Sequence, residues 1–149
     1  MADIFNLLDA NIGSAAAIKS AKHESVMNLP HSQTGTVVAA TEYLRSIRQA
    51  NATVLAIEAT ITETIATGAD RTVTIDLQKS TGAAAFATIL SASIVFTNLS
   101  TLRTLTTGTI ANGALVDGDH LRLVVTVAGA AGAQALGLLV TVTLREDPQ

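Results

Sequence analysis

The sequence predicts a mainly β protein, an antiparallel β-sandwich preceded by an extended N-terminal arm with short helical turns. Three observations point there. Apolar and polar residues alternate with period two through the C-terminal two-thirds of the chain, the pattern of strands with one buried face. Threonine and valine fill much of these runs; both are stiff at χ1 and pack well on a pleated surface. Short segments of glycine, alanine and aspartate separate the runs and supply turns. Residues 1–50 form the arm and linker in this reading, and residues 51–149 the sandwich.

The first strong strand places Leu55, Ile57, Ala59, Ile61 and Ile65 on one face, with Glu58, Thr60, Thr62 and Thr64 on the other. Turn residues Ala66 to Asp70 follow, and then Val73, Ile75 and Leu77 alternate with Thr72, Thr74, Asp76 and Gln78. The two runs read as an antiparallel hairpin. The last pair is cleaner: Leu121, Leu123, Val125 and Val127, then Leu136, Leu138, Val140, Val142 and Leu144, joined by a glycine-rich link. It too reads as a hairpin. Shorter strands are expected near Phe86–Leu90, Ser93–Thr97 and Arg103–Ile110. Two sheets packed together are the economical way to bury so many single faces, with jelly-roll and immunoglobulin-like connectivity both open. Pro30 and Pro148 are the only prolines, so edge protection falls to charges, bulges or oligomer contacts.

The arm differs. Segments DIFNLL and SAAAIKSAKHE suit short helices, with Ser14 as a cap. NLPHSQTG, from Asn28 to Gly35, reads as a loop. In VVAATEYLRSIRQA, Tyr43 and Ile47 stand at i, i+4 and allow a helical turn.

Composition excludes several classes of function. A net charge of −3 and a pI near 5.5 leave no electrostatic footprint for nucleic acid. No cysteine is present, so disulfides, thiol nucleophiles and thiolate metal sites are out. The N-terminus has Asp3 and Asp9 and no basic region before its apolar part, unlike a secretory signal. Residues 121–142 are long enough for a membrane helix, but Gly129, Gly132, Gly137, Arg122 and Gln134 interrupt them, and the alternation favours strands. With charged residues at only 14%, self-association is expected.

The motifs that invite chemistry each have a plainer reading. QKSTGAAAF, from Gln78 to Phe86, has a lysine beside two hydroxyl residues and a glycine, but a phosphate loop needs G-x-x-x-x-G-K-[ST]. Here Lys79 precedes the glycine, so the segment reads as a turn with Gly82 at positive φ. Asp117, Gly118 and Asp119 suggest calcium, yet the twelfth residue from Asp117 is Ala128, where an EF-hand needs glutamate; a β-turn fits better. His23, His31 and His120 have no metal-ligand spacing. No serine lies in G-x-S-x-G. Glu63 falls on the apolar face at a strand end. Asn51-Ala52-Thr53 and Asn98-Leu99-Ser100 match the glycosylation pattern. No catalytic residue, cofactor or metal site is expected.

From Ile75 to Glu146 the chain resembles β-sandwich domains of tailed-bacteriophage virion proteins. The resemblance rests on TVTIDLQKSTGAAAFATILSASIVF, with its strand, small polar turn and strand, and on ALVDGDHLRLVVTVAGAAGAQALGLLVTVTLRE, with its L-x-x-G-D-x-L turn and final alternating pair. Nearest in character are small capsid decoration, or cement, proteins. The resemblance implies a non-enzymatic protein on the outer surface of the virion, made in the host cytoplasm, that binds and stabilises the major capsid protein shell, often as a homotrimer. No nucleic acid or membrane partner is implied. It further implies an arm that engages the shell or an adjacent copy, with Ile4, Phe5, Leu7, Leu8, Ile12, Ile18, Val26, Met27 and Leu29 as its interface residues. The alternative is a receptor- or carbohydrate-binding module of a phage tail or fibre. Such a module needs rings for sugar stacking, and Phe5, Tyr43, Phe86 and Phe96 are the only four in the chain.

Overall fold

A computed structural model of the chain describes residues 25–63, 71–129 and 135–147. These are all β. The long strands are β1 (Ser25–Thr36), β2 (Ala40–Ser46), β3 (Asn51–Glu63), β4 (Thr72–Thr81), β11 (Asp119–Ala128) and β12 (Leu136–Asp147). Between β4 and β11 run the short segments β5 (Ala87–Thr88), β6 (Leu90–Ala92), β7 (Ile94–Phe96), β8 (Thr106–Thr107), β9 (Thr109–Ile110) and β10 (Ala114–Leu115).

Two five-stranded antiparallel sheets form the sandwich. The first has the order β1-β12-β3-β10, with β8 also on β3; the second has β2-β11-β4-β5, with β7 also on β4. The first strand therefore pairs with the last, the second with the next to last, and so inward. That nesting is a jelly roll, a long hairpin folded over on itself. Immunoglobulin-like connectivity does not produce it. A small pair, β6 with β9, ties the β4 side of one sheet to the β3 side of the other.

The core is the set of alternate residues facing inward. Ile57, Ala59 and Ile61 of β3 and Leu138, Val140, Val142 and Leu144 of β12 are buried, and so are Val73, Ile75 and Leu77 of β4 and Leu121, Leu123 and Val125 of β11. Each fully buried aliphatic contributes about 1.5–3 kcal/mol. Phe96, at 1% exposure, is the one large ring among these buried side chains; branched aliphatics do the rest.

Four expectations need correction. Both long alternating pairs are facing strands, not hairpins: β3 lies in the first sheet and β4 in the second, β12 in the first and β11 in the second. Alternation reports only that each strand buries one face, and facing strands satisfy that as well as neighbours do. Residues 25–46, assigned to the arm, form β1 and β2 and begin the sheets. The Tyr43 segment is strand rather than helical turn, because its backbone pairs with β11 from Arg45 to Ala40. The Asn28–Gly35 loop is strand as well, and Pro30 is tolerated because β1 is an edge that needs no outward N–H. Segments DIFNLL and SAAAIKSAKHE lie outside the described residues.

A β-bulge corrects a fifth. Thr143 pairs with Ala56 and Leu144 with Val54, so Leu55 is the extra residue. It turns outward at 45% exposure while Val54 takes the core position. Glu63 is exposed at the last position of β3, as expected.

Gly137 has φ +66°, and a Cβ there would meet Thr62 Oγ1 at 2.1 Å. That hydroxyl donates to the Leu136 carbonyl at 2.9 Å. Gly137→Ala should therefore destabilise the protein by about 1–3 kcal/mol from backbone strain and the clash, measurable as a lower urea midpoint at unchanged slope.

Candidate interaction surfaces

The sandwich has two ends and two outer faces. At the end where β2 and β4 finish and β11 begins, the Asp117–Asp119 turn acts as a buckle. Asp119 is 1% exposed; it accepts from Thr81 Oγ1 at 2.5 Å and from the Val116 N–H at 2.9 Å. Gly118, at φ +86°, lets the chain reverse. The Gly118 N–H donates to the Ile47 carbonyl, and the Ile47 N–H to the Asp119 carbonyl. Asp117 accepts from the Gln49 N–H at 2.8 Å. Both carboxylates therefore have protein donors. No group of three metal-ligating side chains occurs among the described residues.

QKSTGAAAF is the β4–β5 hairpin turn. Gln78 pairs with Thr88 and Lys79 with Ala87, and Gly82 has φ +56° as expected. Lys79 Nζ donates to the Ala114 carbonyl of the first sheet at 2.7 Å, so the lysine of the apparent phosphate motif ties the two sheets together.

His31 and His120 do not meet. His31 of β1 contacts Glu42 of β2 through Nδ1 and Oε2, and Gln33 bonds both N–H and carbonyl of Val38. Arg45 of β2 reaches Glu146 of β12. Together these contacts latch the open edge between the sheets. His120 instead bonds Ser46 Oγ at 2.8 Å, and His23 lies outside the described residues.

The outer face of the first sheet is nearly uncharged. β1 presents Val26, Asn28, Pro30 and Ser32, and β12 presents Leu139, Thr141 and Thr143. Val26, Leu55 and Leu139 are exposed there at 60%, 45% and 43%. Thr143 Oγ1 bonds Asn28 across the strands. Glu58, Arg145 and Asp147 are its charges, and Arg145 donates to Asp147 at 3.0 Å. Of the residues expected at an interface, Val26 is on this face, while Met27 and Leu29 pack against the core. Ile4, Phe5, Leu7, Leu8, Ile12 and Ile18 lie outside the described residues.

The outer face of the second sheet carries a polar and aromatic cluster that sequence reading did not assemble. Arg122 stacks on Phe86, 3.9 Å from the ring centroid. Its Nε and Nη2 donate to Gln78 Oε1 at 3.0 and 2.8 Å. Gln78 Nε2 donates to Asp76, which also accepts from Thr88. Tyr43 meets Phe86 edge-on at 5.7 Å. The signal was hidden because Tyr43 and Phe86 are 43 positions apart and join only through β11, which separates β2 from β4.

A third exposed feature is the connection from β7 to β8. Leu99, at 87% exposure, and Leu105, at 56%, project from it. The Asn98–Ser100 glycosylation pattern falls in a turn fixed by Ser100 Oγ, which accepts from the Thr97 N–H at 2.9 Å.

Asp119→Ala should cost about 1–3 kcal/mol by stripping two donors of their acceptor, and Asp119→Asn less, since one oxygen remains. Chemical denaturation of both variants checks the order.

No protein-family model and no curated protein matches the sequence. Among solved structures, a chain of the cyanophage Pam1 capsid asymmetric unit is similar at a TM-score of 0.53 and 20% identity, over 84% of this chain and 86% of that one. A chain from Bacillus endospore appendages, a family of disulfide-linked pili, gives a TM-score of 0.43 at 16% identity, covering 86% and 91%. The second likeness is too remote to weigh. What the protein has in common with the capsid chain is its fold.

Proposed function

We propose that the protein is a non-enzymatic virion structural protein, a capsid decoration or cement protein that binds and stabilises the major capsid protein shell. The observation that carries this reading is the likeness to a phage capsid chain over most of both chains. Shell proteins need rigid folds and broad contact faces, not reactive clusters. The outer face of β1, β12 and β3 fits that need. Three strands at ~4.8 Å spacing and ~3.4 Å per residue make a flat footprint on the order of 500 Å², a large part of the ~800 Å² that one partner gives to a standard interface.

In this reading the copies form homotrimers on the outer capsid surface after synthesis in the host cytoplasm. Residues 1–24 act as an arm, with Ile4, Phe5, Leu7, Leu8, Ile12 and Ile18 gripping the shell or an adjacent copy, and Val26 extending that contact onto the sheet.

Mass spectrometry and cryo-electron microscopy of purified particles test the proposal. The protein should be present in stoichiometric amounts as density on the shell exterior, and its absence from particles ends the reading. The double variant Leu139→Glu with Thr141→Lys changes two outward side chains. It should keep its melting temperature but lose attachment to particles.

A further inference from the structure

We propose that the outer face of the second sheet is a binding site for a neutral oligosaccharide. This inference is independent of where the protein sits on a particle. Cross-strand register places four of its side chains on one rung. Tyr43 of β2 pairs with Arg122 of β11, Arg122 with Gln78 of β4, and Gln78 with Thr88 of β5. At ~4.8 Å between strands the rung is ~14 Å long, an elongated strip rather than a point contact. Phe86 lies over its middle, against the Arg122 guanidinium. Two of the four aromatic side chains in the chain meet on this outer surface.

The chemistry of the strip selects the ligand. Tyr43 is 68% exposed and gives the apolar C–H face of a sugar ring a flat surface to stack on. The planar groups beside it are already aligned: Asp76 and Arg122 hold Gln78 from its two ends, so little ordering is left to be done on binding. Donors remain available, because the Tyr43 hydroxyl and Arg122 Nη1 make no hydrogen bond among the described residues. Asp76 and Arg122 cancel in charge, leaving no excess of cation for a phosphate, sulfate or nucleic acid. β4 and β11 expose no large aliphatic side chain on this face; Val95 of β7 does, at 48%, but it lies opposite Thr74, four residues along β4 from Gln78 and so ~14 Å from the rung. A polyhydroxyl ligand with apolar ring faces fits what is left.

The full-length protein is to be applied to an array of neutral di- to tetrasaccharides, with sialylated and sulfated glycans alongside. The strongest neutral binder is then titrated by NMR. The expected result is retention of a neutral oligosaccharide, with shifts centred on Tyr43, Phe86, Gln78 and Arg122. Tyr43→Ala should weaken binding about tenfold, the scale of one lost aromatic contact, and leave the melting temperature unchanged. Tyr43→Phe keeps the ring and should keep most of the affinity. Retention of acidic glycans only, no retention of neutral ones, or binding indifferent to Tyr43→Ala each overturns the proposal. So does a Tyr43→Ala variant that binds no sugar less well but loses attachment to particles, which would make the strip a protein contact.

Discussion

The packing of two sheets face to face is the constraint from which the rest of the molecule follows, because every long strand has one apolar side that must be covered. Small branched residues do this without large rings, and Phe96 is the exception among the largest buried side chains. A core built from valine, isoleucine and leucine on opposed faces fixes the register of each strand, since a slip of one residue would turn its apolar set outward. Where the register has to change, the chain inserts a bulge, as at Leu55, and the displaced leucine goes to the surface. Side chains then close what the backbone leaves open: His31 with Glu42, Arg45 with Glu146, and Lys79 with the Ala114 carbonyl.

Much of this was legible in the sequence. The inward faces of β4, β11 and β12 follow from strict alternation, and Gly82 and Gly118 announce turns that the structure contains at positive φ. Pairing was not legible. Alternation is a property of one strand, whereas the choice between a neighbour in the sheet and a partner across the core depends on the whole topology. That is why β3 with β4, and β11 with β12, read as hairpins. The limits of β1 and β2 were missed for a related reason: Pro30 and the polar Gln33 look like loop residues until β1 is known to be an edge whose inner face reaches the open side of the sandwich. The surface sites depend on register, so neither outer face could be composed from the chain alone.

The two outer faces differ in kind. One is broad, threonine-rich and nearly free of charge, with aliphatic side chains at its margins. The other sets a tyrosine, an arginine and a hydrogen-bonded amide on a single rung, with a phenylalanine against the arginine. A sandwich can keep such surfaces apart because its core separates them by the thickness of two sheets, ~10 Å between backbones. A change on one face need not disturb the other.

The pairing of β1 with β12 also governs when the protein can fold. Ser25 lies opposite Glu146 and Leu29 opposite Val142, and among the described residues β12 is the strand that joins β1 to β3. During synthesis the first sheet therefore cannot assemble until β12 has left the ribosome. Until then, Met27, Leu29 and the inner face of β3 wait without their neighbour. Contacts this distant along the chain slow folding and leave apolar strand faces open to other nascent chains.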